Sequence, residues 1–76
     1  MKVISMRGKL SFLEVMTDIG LFKGDGELIE SGFTFYTNTI VDNDNNPLSD
    51  GQLEALKMAI DEYSKEKCPD FEVFFE

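Results

Sequence analysis

Histidine and tryptophan are absent from this chain of 76 residues, and cysteine and arginine each occur once. Without histidine it lacks the commonest general base and the commonest transition-metal ligand. A single cysteine rules out an internal disulfide and, with no histidine, zinc sites of the Cys and His kind. No apolar run approaches the roughly 20 residues of a membrane span. Arg7, Gly8 and Lys9 interrupt the first apolar stretch too early for a secretory leader. A cytoplasmic protein with no membrane association is the expectation. Phosphate-loop chemistry is also missing. Gly24 and Gly26 flank Asp25 with no lysine following in the required place.

Cations are scarce and unevenly placed. Seven Lys and Arg stand against fifteen Asp and Glu, for a net charge of −8. Residues 1–23 hold Lys2, Arg7, Lys9 and Lys23 against Glu14 and Asp18, a balance of +2, while residues 24–76 carry −10. Such a charge repels DNA, RNA and anionic lipid, so no direct nucleic-acid contact is expected. The partner that charge favours is a larger protein with a basic surface.

The apolar supply is sufficient for one domain over residues 1–76. Seven Phe bring large areas to bury, which a chain this short needs to offset its ordering entropy. The clearest element is a helix from Asp50 to about Glu66. Ser49 is its cap, Gln52 completes a capping box, and Leu48 and Leu53 form a hydrophobic staple. Leu53, Leu56, Ile60 and Tyr63, with Ala59 alongside, make one apolar stripe. Pro69 ends the helix.

Strands are expected on both sides of it. In "FEVFFE", Phe71, Val73 and Phe75 alternate with Glu72, Phe74 and Glu76. Gly32 to Asp42 reads as a second strand of imperfect alternation, Phe33, Phe35 and Val41 on one face and Tyr36 and Ile40 on the other. "ELIE" pairs with it through Ser31–Gly32, and "KVISM" is a shorter strand. Lys9 to Lys23 is open to two readings. As a helix it has Ser11 as cap, Glu14 completing a box, and an apolar face of Phe12, Val15, Met16 and Ile19. As a hairpin, Val3–Met6 pairs with Leu10–Val15 around Arg7–Gly8. The capping box favours the helix. "KGDGE" reads as a turn in either case. The expected architecture is α+β: a small antiparallel sheet of three to four strands with one or two helices packed on one face.

One stretch looks like a metal site at first sight. Asp42, Asp44 and Asn46 fall at the first, third and fifth positions of an EF-hand calcium loop, and Asp50 at the ninth. The motif also demands glycine at its sixth position and a bidentate glutamate at its twelfth. Pro47 and Leu53 stand there instead, and Glu54 comes one residue late. The stretch is better read as a polar turn into the helix, so neither metal nor cofactor is expected. Cys68 at the helix C-terminus reads as a structural thiol, and Arg7 as a solvated charge at a strand end.

No spacing in the chain suggests catalysis. The expected function is therefore a small acidic, non-enzymatic binding or inhibitory protein. It would engage a basic, nucleic-acid-binding surface by mimicking nucleic acid, as phage anti-defence and host-takeover proteins do. An immunity or antitoxin role against a basic toxin uses the same chemistry. A homodimeric module joined through an exposed aromatic sheet face is the further alternative. The partner-binding candidates are Asp42, Asp44, Asp50 and Glu54, with Phe74 as the exposed aromatic.

Overall fold

The computed structural model describes all 76 residues. The chain opens with three strands in antiparallel succession: β1 (Val3–Lys9), β2 (Phe12–Thr17) and β3 (Gly20–Ile29). Then come β4 (Gly32–Phe35), a 3-10 turn (Thr37–Thr39), β5 (Val41–Asp42), helix α1 (Asp50–Lys67) and β6 (Glu72–Phe75). The sheet runs in the order β1-β2-β3-β4-β6, and β5 pairs with β3. The fold is α+β as expected, but with six strands rather than three or four and with one helix. The sheet is mixed and not purely antiparallel. Helix α1 carries the chain back across the sheet, so β6 enters parallel to β4.

The second helix expected over Lys9 to Lys23 does not form. That stretch is the end of β1, all of β2 and the start of β3. Leu13, Val15 and Thr17 are buried, while Phe12, Glu14 and Met16 between them face the other way, a period of two. The helical stripe would have joined Phe12, Val15, Met16 and Ile19, yet Ile19 is 65% exposed. The tight turn lies at Leu10–Ser11, since Lys9 opposes Phe12, and not at Arg7–Gly8. "KGDGE" is no turn either: Gly24, Asp25 and Gly26 lie within β3. Gly24 and Gly26 are buried on the inner face, where the rings of Phe35 and Phe33 fill the space of the missing side chains. They are glycine for packing and not for chain reversal.

Other expectations hold or shift slightly. β3 and β4 form the predicted hairpin, its turn at Glu30–Ser31. Gly32 to Asp42 is not one strand but breaks at the 3-10 turn. The break turns Ile40 inward to the core, 2% exposed, and puts Val41 opposite Lys23 on the outer side. Helix α1 is as read: Ser49 Oγ accepts from Gln52 N–H at 3.2 Å, and Gln52 Oε1 accepts from Ser49 N–H at 2.9 Å. Leu56, Ala59 and Ile60 are buried against the sheet, with Leu48, Leu53 and Tyr63 packed around them. Phe33 and Phe35 stand at the centre in an edge-to-face pair, centroids 6.0 Å apart. No helix is long and apolar enough to cross a membrane.

Candidate functional site

Apart from Ile4, which sits at an irregularity in β1, strand register assigns the paired side chains of the sheet to one of two faces. The inner face carries Leu13, Val15, Phe22, Phe33, Phe35 and Val73 into the core beneath α1. The outer face mixes apolar side chains, Phe12 and Met16 among them, with charged ones, and its charge divides sharply. On β1, β2 and the first half of β3 it presents Arg7, Lys9 and Lys23, with Glu14 between Arg7 and Lys23. On the second half of β3, β4 and β6 it presents Asp25, Glu27, Glu72 and Glu76 and no cation. The uneven charge along the sequence thus becomes two halves of one surface.

Two aromatic side chains stand within the acidic half. Phe74, opposite Thr34 in the parallel pair, is 42% exposed. Glu72 and Glu76 flank it on the same strand. Tyr36 follows β4, half-buried, with its hydroxyl 3.5 Å from Glu27 Oε2. Loss of hydration first, then the charges of Glu27 and Glu76, raise its phenol above the ordinary value. The edge of this patch is tied down: Thr37 N–H and Oγ1 both donate to the Glu76 carbonyl.

The four acids singled out from the sequence lie elsewhere, at the turn before α1 and at its first turns. They do not act as one group. Asp42 Oδ1 accepts from the backbone N–H groups of Asp44 at 2.9 Å and Asn46 at 3.0 Å, so its carboxylate holds its own turn. Asn45 takes a positive φ of 64° to complete that turn. Asp44 is exposed and has no side-chain partner. Asp50 lies in the first turn of α1, suited to the positive end of its dipole. Glu54 pairs with Lys57 at 3.6 Å. Asp61 and Lys65, spaced for a similar pair, do not make one. No three of the chain's acids, with or without Cys68, converge to hold a metal ion.

Phe74 is therefore the sequence-picked residue that shares a sheet face with Glu72 and Glu76 and, across β4, with Asp25 and Glu27. Glu72 and Glu76 were legible beside it as its same-face neighbours on the strand. Asp25 and Glu27 were hidden, because the glycines around them imitate a turn. Ile40, assigned by its alternation to the outer face with Tyr36, belongs to the core instead. Comparison of the chain with protein-family models, curated proteins and solved structures finds no match. Its function has to be read from this surface.

Proposed function

We propose that this chain is a non-enzymatic binding or inhibitory protein whose acidic outer sheet face engages a basic site on a larger protein. The observation that carries the reading is the placement of Phe74 and Tyr36 among Asp25, Glu27, Glu72 and Glu76 with no cation on that half of the face. Carboxylates draw in lysine and arginine, and an aromatic ring between them offers the same cations a π-face and an apolar contact. Surface acids kept only for solubility need no aromatic at their centre.

A basic site of this kind belongs to proteins that bind nucleic acid. Two settings share the chemistry: an inhibitor of a nucleic-acid-processing enzyme, of the phage anti-defence type, and an immunity protein that neutralises a basic toxin. Neighbouring genes separate the two. The turn acids Asp44 and Asp50, with Glu54, add long-range attraction at the start of α1 in either setting. A homodimer through Phe74 is disfavoured by charge, since stacking two such patches brings Glu27, Glu72 and Glu76 against like charges.

The test is a pull-down from host lysate with the protein immobilised, eluted by a salt gradient. Glu27→Gln/Glu72→Gln/Glu76→Gln and Asp44→Asn/Asp50→Asn/Glu54→Gln serve as parallel baits. The reading expects a basic protein that elutes steeply with salt and is lost from the first variant. A partner held equally at all salt concentrations, or retained by that variant, overturns it.

A further inference from the structure

The sheet leaves its first strand open along one side. β1 pairs with β2 alone, and no backbone hydrogen bond of Val3–Lys9 runs to any other element. Such a strand presents unpaired N–H and C=O groups and can accept another strand. Beside it lies an opening into the core. A cleft of about 560 Å³ runs between the end of β1 and the C-terminal end of α1, its walls formed by Met6, Leu10, Leu28, Tyr63 and Phe71. Phe33, fully buried, forms its floor. Leu10 and Leu28 stand 77% and 49% exposed at its rim, joined by a bond from Leu28 N–H to the Leu10 carbonyl. Clefts of this size and apolarity accommodate several side chains or a drug-sized group.

Charge selects among the possible occupants. Lys2, Arg7 and Lys9 are the only charged residues from Met1 to Lys9, in a chain whose net charge is −8. A second copy joined edge to edge through β1 would set the cations of one strand beside those of the other, with Glu14 on β2, one strand behind the seam, as the acid opposite Arg7. The two faces of β1 then divide the requirements on an incoming strand. Met6 and Gly8 lie on the inner side with the cleft, and Arg7 and Lys9 alternate to the outer side, Lys9 also bordering the cleft where β1 ends. A strand alternating in the usual way shows one set of side chains to each.

We infer that the free edge of β1 takes up an extended segment of a partner protein in which apolar residues alternate with aspartate or glutamate. Main-chain hydrogen bonds to β1 hold the segment. Its apolar side chains enter the cleft beside Leu10 and Leu28, and its carboxylates meet Arg7 and Lys9 on the outer face. This site is separate from the acidic half around Phe74, so either can fail without the other.

The probe is a synthetic peptide as long as β1 with valine and glutamate alternating, titrated into the isotope-labelled protein and followed by NMR. Shifts are expected at the amides of β1 and at Leu10 and Leu28, with slowed hydrogen exchange along the open edge. Affinity should fall by at least about tenfold in Arg7→Glu/Lys9→Glu and in Leu10→Asp. All three positions are exposed, and an otherwise unchanged amide spectrum verifies that the variants fold. No shift at millimolar peptide overturns the inference, as does equal binding of the same peptide with lysine in place of glutamate. It is equally overturned if shifts fall on β6 instead of β1, or if decanoate occupies the cleft and the peptide does not. Self-association that Arg7→Glu relieves would assign the edge to a second copy and overturn it too.

Discussion

The ring of Phe33 occupies the space that a side chain on Gly26 would need, with Cζ 2.8 Å from where a β-carbon would stand. The same hypothetical atom would also strike the carbonyl oxygen of Thr34, which belongs to the backbone of β4 and cannot rotate away. Two neighbouring strands approach this closely because one of them carries no side chain at the contact.

Gly26→Ala should accordingly be costly. Overpacking a core commonly loses 1–3 kcal/mol, and a backbone collision puts this site at about 3 kcal/mol or beyond. Gly51→Ala is the control, since nothing lies within 4 Å of its added carbon. In a helix it should gain up to about 1 kcal/mol. Urea denaturation of both variants measures the contrast, and similar effects at the two sites would refute the packing role of Gly26.

Ser64 lies on the buried face of α1, and its hydroxyl has no hydrogen-bond partner. A buried hydroxyl without a partner costs roughly 1–3 kcal/mol of desolvation. Ser64→Ala removes that penalty and improves helix propensity, so it should stabilise the fold by about 1 kcal/mol. A lower urea midpoint for the variant would show that the hydroxyl is satisfied in solution.

Asp42 supports its turn through two backbone N–H bonds to one carboxylate oxygen. Asp42→Asn keeps an acceptor there and should cost little, while Asp42→Ala should lose about 1 kcal/mol. Because that oxygen already serves the backbone, millimolar calcium should leave the amides of Asp42, Asp44 and Asn46 unshifted. Calcium-dependent shifts at all three would restore a metal reading.

Phe74 and Phe33 offer opposite tests of the same residue type. Phe33→Ala removes a fully buried ring and should cost about 3–5 kcal/mol. Phe74→Ala should cost about 1 kcal/mol or less, because the ring is already 42% exposed. Its effect belongs on the partner. Affinity for a basic partner should fall by more than tenfold, about 1.4 kcal/mol, read by calorimetry. Unchanged affinity would remove Phe74 from the interface.

Tyr36 supplies a reporter for the acidic half. Its phenol lies above the ordinary value of 10.0, held there by lost hydration and then by Glu27 and Glu76. The folded chain holds this proton more tightly than the unfolded one. Its contribution to stability is therefore complete below about pH 10 and is lost as pH rises through the folded value. Ultraviolet titration in a Tyr63→Phe background isolates the group. Glu27→Gln should move the value down, and a bound cationic partner should move it further down. Indifference to both changes would separate Tyr36 from the carboxylates.

Local chemistry made α1 readable from the sequence. Ser49, Gln52, Leu48, Leu53 and the stripe from Leu56 to Tyr63 interact within a few residues of one another. The same holds for β6, whose alternation runs unbroken from Phe71 to Glu76. The sheet is different because its partners are distant in sequence. Ser11 and Glu14 have the spacing of a helix cap, yet Leu13 and Val15 gain more by pairing across to Gly24 and Phe22 and burying one face. A capping box contributes about 1 kcal/mol, less than the burial of a single such side chain.

Sequence by itself determined that this is an acidic chain without histidine chemistry, that its helix begins just after the Ser49 cap, and that Phe74 shares a strand face with two glutamates. Tertiary structure alone decided that Gly24 and Gly26 make room for rings, that Ile40 turns inward, and that Asp25 and Glu27 join Glu72 and Glu76 around Tyr36 and Phe74. Those outcomes depend on which strand lies beside which. Pairing between β3, β4 and β6 is set by how well the whole core fills beneath α1, a condition that no short window of sequence contains.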